Sequence, residues 1–169
     1  MKVFKKTLFV VFLLTSTYVS SVFADNSGEE HSLILLLGPA MEKSTSDGSK
    51  AYGTYLGLEF TAIEHQLEIE VGTQYLSTSN PKELGGFVIF KKPFELAKDV
   101  ELGLGMGPAV WRKTSSANNG LQTGITFVAD FMFWTTKEVG WYVSPGYTYG
   151  FTGGGERSVG ISAGLLFSM

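Results

Sequence analysis

Eight stretches of this chain alternate apolar with small or polar residues at a period of two. The plainest is the last, "SVGISAGLLFSM". Val159, Ile161, Ala163, Leu165, Phe167 and Met169 share one face, Ser158, Gly160, Ser162, Gly164 and Ser168 the other, and only Leu166 is out of step. Successive side chains of a strand point to opposite faces, so this pattern specifies half-buried β-strands. The strands are predicted over residues 32–41, 51–62, 66–76, 84–94, 100–113, 121–134, 141–152 and 158–169. Each approaches or exceeds the ~9–11 residues with which a tilted strand crosses a bilayer. Strands one and four are apolar on both faces, so their registers stay open; a bulge at Gly85 and Gly86 would reset the fourth.

The first 24 residues are set apart. Lys2, Lys5 and Lys6 precede an apolar run from Leu8 to Leu14, and Val22-Phe23-Ala24 follows. A charged segment, a short apolar segment and a small-residue end make a secretory signal peptide, residues 1–24, cleaved after Ala24. The apolar run is too short for a membrane-spanning helix of ~20 residues. The mature domain, residues 25–169, then carries 10 basic against 16 acidic side chains. An acidic exported chain has no electrostatic case for nucleic acid. No cysteine is present, which excludes disulfides and a lipid-modified cysteine.

A period of two says that the faces differ, not which one is wet. In a soluble lipocalin-like carrier the apolar face would line a cavity; in a transmembrane barrel it faces lipid. The polar face here is rich in glycine, with a few acids: Glu59, Glu68, Glu70, Glu101 and Asp130. Glycine weakens a water-facing strand but suits an eight-stranded barrel, whose inside is only wide enough for side chains. Aromatic residues also fall near strand ends, as interfacial girdles require: Tyr52, Tyr75, Trp111, Tyr149 and Phe151 at the loop ends, Phe60, Phe94, Phe133, Trp134 and Trp141 at the turn ends. Pro108 and Pro145 fit neither reading, since each forfeits a ladder bond. The expectation is an all-β, eight-stranded antiparallel up-and-down transmembrane β-barrel in the cell outer membrane, a monomer in contact with outer-membrane lipids.

The final strand, "VGISAGLLFSM", resembles the C-terminal signature of bacterial outer-membrane barrels, although that pattern ends in Phe and this chain has Phe167 two places before its last residue. The resemblance implies recognition by the outer-membrane insertion machinery through the C-terminal strand. The whole pattern is similar to OmpA-type eight-stranded barrels. "ADFMFWTTKEVGWYVSPGYTYGF" and "RSVGISAGLLF" look like an uncharacterised group of small bacterial outer-membrane barrel proteins, which implies a location more than an activity.

Catalytic chemistry is hard to find. A lipid-modifying envelope enzyme would need a nucleophile and a base near the outer surface. The two histidines, His31 and His65, fall on the side of the termini, and no GxSxG, HExxH or metal-ligand spacing occurs. No enzyme activity, cofactor or metal is expected. The interior acids are the one constellation of note: Glu59 faces Glu68 and Glu70 across a hairpin, with Glu101 and Asp130 on the same inner face. Buried carboxylates need a cation, a shared proton or a metal. Lys91, Lys92, Arg112 and Arg157 are the candidate cations. The expectation is a salt-bridged plug and no open pore, in a barrel with a structural or surface-interaction role. The alternatives are a soluble periplasmic lipocalin-like carrier and a lipid-modifying enzyme.

Overall fold

In a computed structural model of the chain, described for residues 33–77, 82–114, 119–152 and 155–169, eight antiparallel strands close into a barrel in sequence order. They are β1 (Leu33–Ser44), β2 (Lys50–Ile63), β3 (Leu67–Ser77), β4 (Lys82–Ala97), β5 (Val100–Thr114), β6 (Asn119–Trp134), β7 (Val139–Gly150) and β8 (Arg157–Ser168). The signal-peptide residues 1–24 and His31 lie outside the described residues. Every predicted strand is present, with ends displaced by no more than 3 residues. β8 pairs with β1 from Ile34↔Ser168 to Ser44↔Ser158, so the terminal strand closes the wall and no edge remains.

Alternation sets the two faces. Leu56, Leu104 and Phe127 point outward and are 43%, 45% and 39% exposed. Leu37, Leu58, Val71, Phe90, Met106, Ile161 and Leu165 join them. An apolar exterior around a buried polar interior inverts the soluble plan and overturns the lipocalin-like alternative. Backbone pairing within a closed sheet is the one all-β arrangement that hydrocarbon tolerates.

The structure resolves the two open registers. On β1, Ile34, Leu36 and Ala40 face in, while Leu33, Leu35, Leu37 and Met41 face out; on β4, Phe87, Ile89 and Lys91 face in. Gly85 and Gly86 pair in step with Gln74 and Thr73, so no bulge lies there. The shifts are instead at Thr61/Ile63 and Glu95/Ala97, beside turns.

The prolines obey a simple rule. Pro39 pairs with Thr54 on β2, while its pairing to β8 skips from Leu37↔Leu165 to Ala40↔Ser162. Pro108 pairs with Ile125, and β4·β5 skips from Phe87↔Ala109 to Phe90↔Met106. Pro145 pairs with Ile161, and β6·β7 skips from Val128↔Gly146 to Phe131↔Val143. A missing N–H removes bonding on one side only. The three gaps fall on three different seams, so no strand pair loses its register.

Two aromatic placements need correction. Trp111 and Trp134 face into the barrel, not to the girdles. The odd residues of β5 and the even residues of β6 are interior, and both tryptophans follow that parity. Trp111 donates its indole N–H to Gln122 Oε1 at 2.6 Å; Trp134 packs against the core. The outward girdles are Tyr52, Tyr75 and Tyr149 at the loop end, and Phe60, Phe94, Phe133 and Trp141 at the turn end. Phe133 and Trp141 stack at 4.0 Å between ring centroids.

Candidate functional site: the barrel interior

Tracing the registers around the wall brings Glu59 (β2), Glu70 (β3), Lys91 (β4) and Asp130 (β6) to one level of the lumen. Glu59 and Glu70 are direct cross-strand partners, an unfavourable pair of like charges without a cation between them. Lys91 supplies it. Its ammonium contacts Glu59 and Asp130, and lies 2.6 Å from Glu70 Oε2. All four side chains are 1% exposed or less.

Further groups fix the plug. Tyr55 donates its hydroxyl to Glu70, and Ser144 donates to Asp130. The Tyr55 ring stacks on Phe87 at 5.4 Å and leans on Tyr142 at 6.1 Å. Two glycines make room. A Cβ on Gly57 would stand 2.3 Å from Glu70 Oε1, and one on Gly105 would stand 2.6 Å from Lys91 Cγ. Glycine on this face is therefore a packing requirement of the charged side chains.

The predicted acids are not all in one contact set. Glu68 and Glu101 stand nearer the turns, beside each other and outside the contact set of the Lys91 ammonium. Of the candidate cations only Lys91 enters the plug. Lys92 lies on the outside over the Phe94 ring, and Arg112 and Arg157 are exposed on the outer wall. The three oxygens of Glu59, Glu70 and Asp130 lie within 4.8 Å of one another, close enough to ligate a metal. The Lys91 ammonium occupies the point where such an ion would sit.

A second cluster was missed. At the loop end, Lys113 contacts Glu156 and lies 3.8 Å from Glu83, its cross-strand partner. Glu42, hydrogen-bonded to Ser158, faces the same lysine. Lys113 is 24% exposed, so this ring is partly wet. Between the two clusters is a cavity of about 110 Å³. Tyr55, Ile89, Ser144 and Ser162 line its base, and Glu42, Glu83 and Lys113 its mouth. The signal for the upper ring was available: "EK", "KE", "RK" and "ER" flank the four loops, and alternation sends one residue of each pair inward.

His65 occupies the turn after β2 with a φ of 57°, and is 3.9 Å from Glu64 and from Glu95. It is exposed and remote from both clusters.

No known family profile matches this sequence, and no curated protein matches it. Solved structures do match. The Neisserial surface protein A is 17% identical, with a TM-score of 0.66, over 82% of this chain and 97% of that one. The outer-membrane protein OprG from Pseudomonas aeruginosa is 9% identical, with a TM-score of 0.64, over 83% and 98%. Ail, the attachment invasion locus protein of Yersinia pestis, is 12% identical, with a TM-score of 0.57, over 83% and 100%. The chain has the fold of these small outer-membrane barrels.

Proposed function

We propose that the protein is a closed outer-membrane β-barrel with a structural or surface-interaction role, non-conducting and non-catalytic, exported by its signal peptide and inserted through β8. The observation that carries this reading is the plug of Lys91 with Glu59, Glu70 and Asp130, which fills the lumen at one level with fully buried side chains. A continuous water path cannot pass that layer. The polar loops then remain as the accessible part of the molecule. Attachment, the role for which the attachment invasion locus protein Ail is named, is one use such loops would serve.

The full chain, refolded in detergent and moved into planar bilayers, tests this directly. Migration in detergent gels should differ between heated and unheated protein, as for other closed barrels, and no stable single-channel openings should occur. Reproducible openings from heat-modifiable protein would overturn the closed-lumen reading; absence of heat modifiability would overturn the barrel itself.

A further inference from the structure

The charged pairs beside the loops have a second half. Where Glu42, Glu83, Lys113 and Glu156 turn inward, their neighbours Lys43, Lys82, Arg112 and Arg157 turn outward, and Lys50 joins them from the start of β2. All five are exposed, and the registers place them at one level around the outer wall. Among the described strand residues at this rim, no acid shares the outward face. Alternation has thus sorted charge by side, with acids around Lys113 within and a basic collar without.

The collar's height is informative. Lys50 lies two residues beyond Tyr52 on the same face, about 7 Å further along the strand. Arg157 lies opposite Tyr149, its guanidinium 5.5 Å from the ring centroid. The tyrosines mark the edge of the hydrocarbon, and the headgroup layer adds roughly 5–7 Å beyond it. The collar therefore stands at the depth of lipid headgroups rather than in open water.

Its internal arrangement is unfavourable when empty. Lys43 and Lys50 are direct cross-strand partners, and like charges so placed repel. Arg157 is beside them, since Thr45 bonds through its backbone N–H and its hydroxyl to the Arg157 carbonyl. An anion bridging the group would convert repulsion into charge-assisted hydrogen bonds. The turn end has no such sorting: Glu64, Glu95, Asp99 and Glu138 are interspersed with Lys98 and Lys137.

We infer that this collar, centred on Lys43, Lys50 and Arg157, with Lys82 and Arg112 on the opposite side, binds the phosphomonoester headgroups of an anionic lipid in the leaflet at the loop end. The inference rests on the membrane-spanning reading above and names the lipid chemistry that reading leaves open.

The test titrates full-length protein, folded in neutral detergent and checked for heat modifiability, with fluorescently labelled lipid A, a glycolipid with two phosphates. The variant Lys43→Gln/Lys50→Gln/Arg157→Gln should weaken binding by about a hundredfold, given the contribution of each cation near an anionic surface. Lys92→Gln/Lys98→Gln/Lys137→Gln, which removes as many charges from the other end, should bind like the parent. Dephosphorylated lipid A should bind poorly, and inorganic phosphate should not displace the lipid. Equal weakening by both variants, equal binding of the dephosphorylated lipid, or full displacement by phosphate alone would each overturn the inference. A protein that never becomes heat-modifiable would instead sink the barrel reading.

Discussion

Lys91 and Lys113 each stand among three carboxylates, one cluster near each end of the same lumen. Lys91 is fully buried and its acids are held by Tyr55 and Ser144, while Lys113 and its partners are partly open at the loop rim. The difference comes from what lies on either side. Ile34, Met132 and Leu166 close the turn side of the lower cluster, whereas a cavity and the loops flank the upper one. The same set of charges is thus a rigid plug in one place and a solvated ring in the other. Burial, more than charge count, decides what an ion cluster does to a barrel.

The largest effect is expected from removing the buried cation. Lys91→Met keeps an unbranched side chain, one atom shorter, but leaves Glu59, Glu70 and Asp130 facing one another without a counter-charge. Breaking a buried ion pair costs about 3–5 kcal/mol. Urea unfolding of the barrel in lipid vesicles should show a loss of that size. Adding Glu70→Gln to the variant should restore part of it, because groups that share one partner are not additive. A change of under 1 kcal/mol on this order-of-magnitude scale would mean that the plug is hydrated after all.

A smaller effect separates the packing of the two halves. A Cβ on Gly105 would meet Lys91 at 2.6 Å and both Ile89 and the Phe90 carbonyl at 2.8 Å. Gly85 lines the cavity, and its nearest neighbours would be Trp111 Cβ at 3.4 Å and the Val110 carbonyl at 3.6 Å. Gly105→Ala should destabilise by about 1–3 kcal/mol, as overpacking does, and Gly85→Ala by much less. Equal losses in the same urea experiment would erase the distinction between a filled lower half and a roomy upper half.

Much of this was legible from alternation alone, and the misses are instructive. The interior positions of Glu59, Glu68, Glu70, Glu101 and Asp130 follow from the parity of strands whose apolar face is unambiguous. Trp111 and Trp134 obey the same parity although tryptophan favours interfaces; strand phase outranks residue preference here. Leu166, the one residue out of step in the last strand, is a core residue against Leu36, Met132 and Tyr142. Lys91 could not be assigned beforehand, since β4 is apolar on both faces and only the pairing of Glu68 with Lys91 settles its phase. The upper ring is masked in the sequence because its members lie at strand ends, where charges read as ordinary loop residues. That the Lys91 ammonium reaches Glu59, Glu70 and Asp130 rather than its cross-strand partner Glu68 depends on the tilt of the strands around the wall, which no single strand encodes.

The smallest effect concerns the upper ring and sharpens the contrast most cleanly. Lys113→Met removes the cation that holds Glu83 and Glu156, in a site open to water on its loop side. Exposed and half-exposed ion pairs contribute about 0.2–1 kcal/mol, so the loss should fall in that range. Salt supplies the second dimension. At 1 M salt the screening length shrinks to about 3 Å, which weakens a wet ring and leaves a dry plug nearly untouched. The parent and Lys113→Met should therefore converge in stability as salt rises, whereas the gap between the parent and Lys91→Met should persist. If both gaps closed together, water would reach the lower cluster as freely as the upper, and the lumen would not be sealed by Lys91.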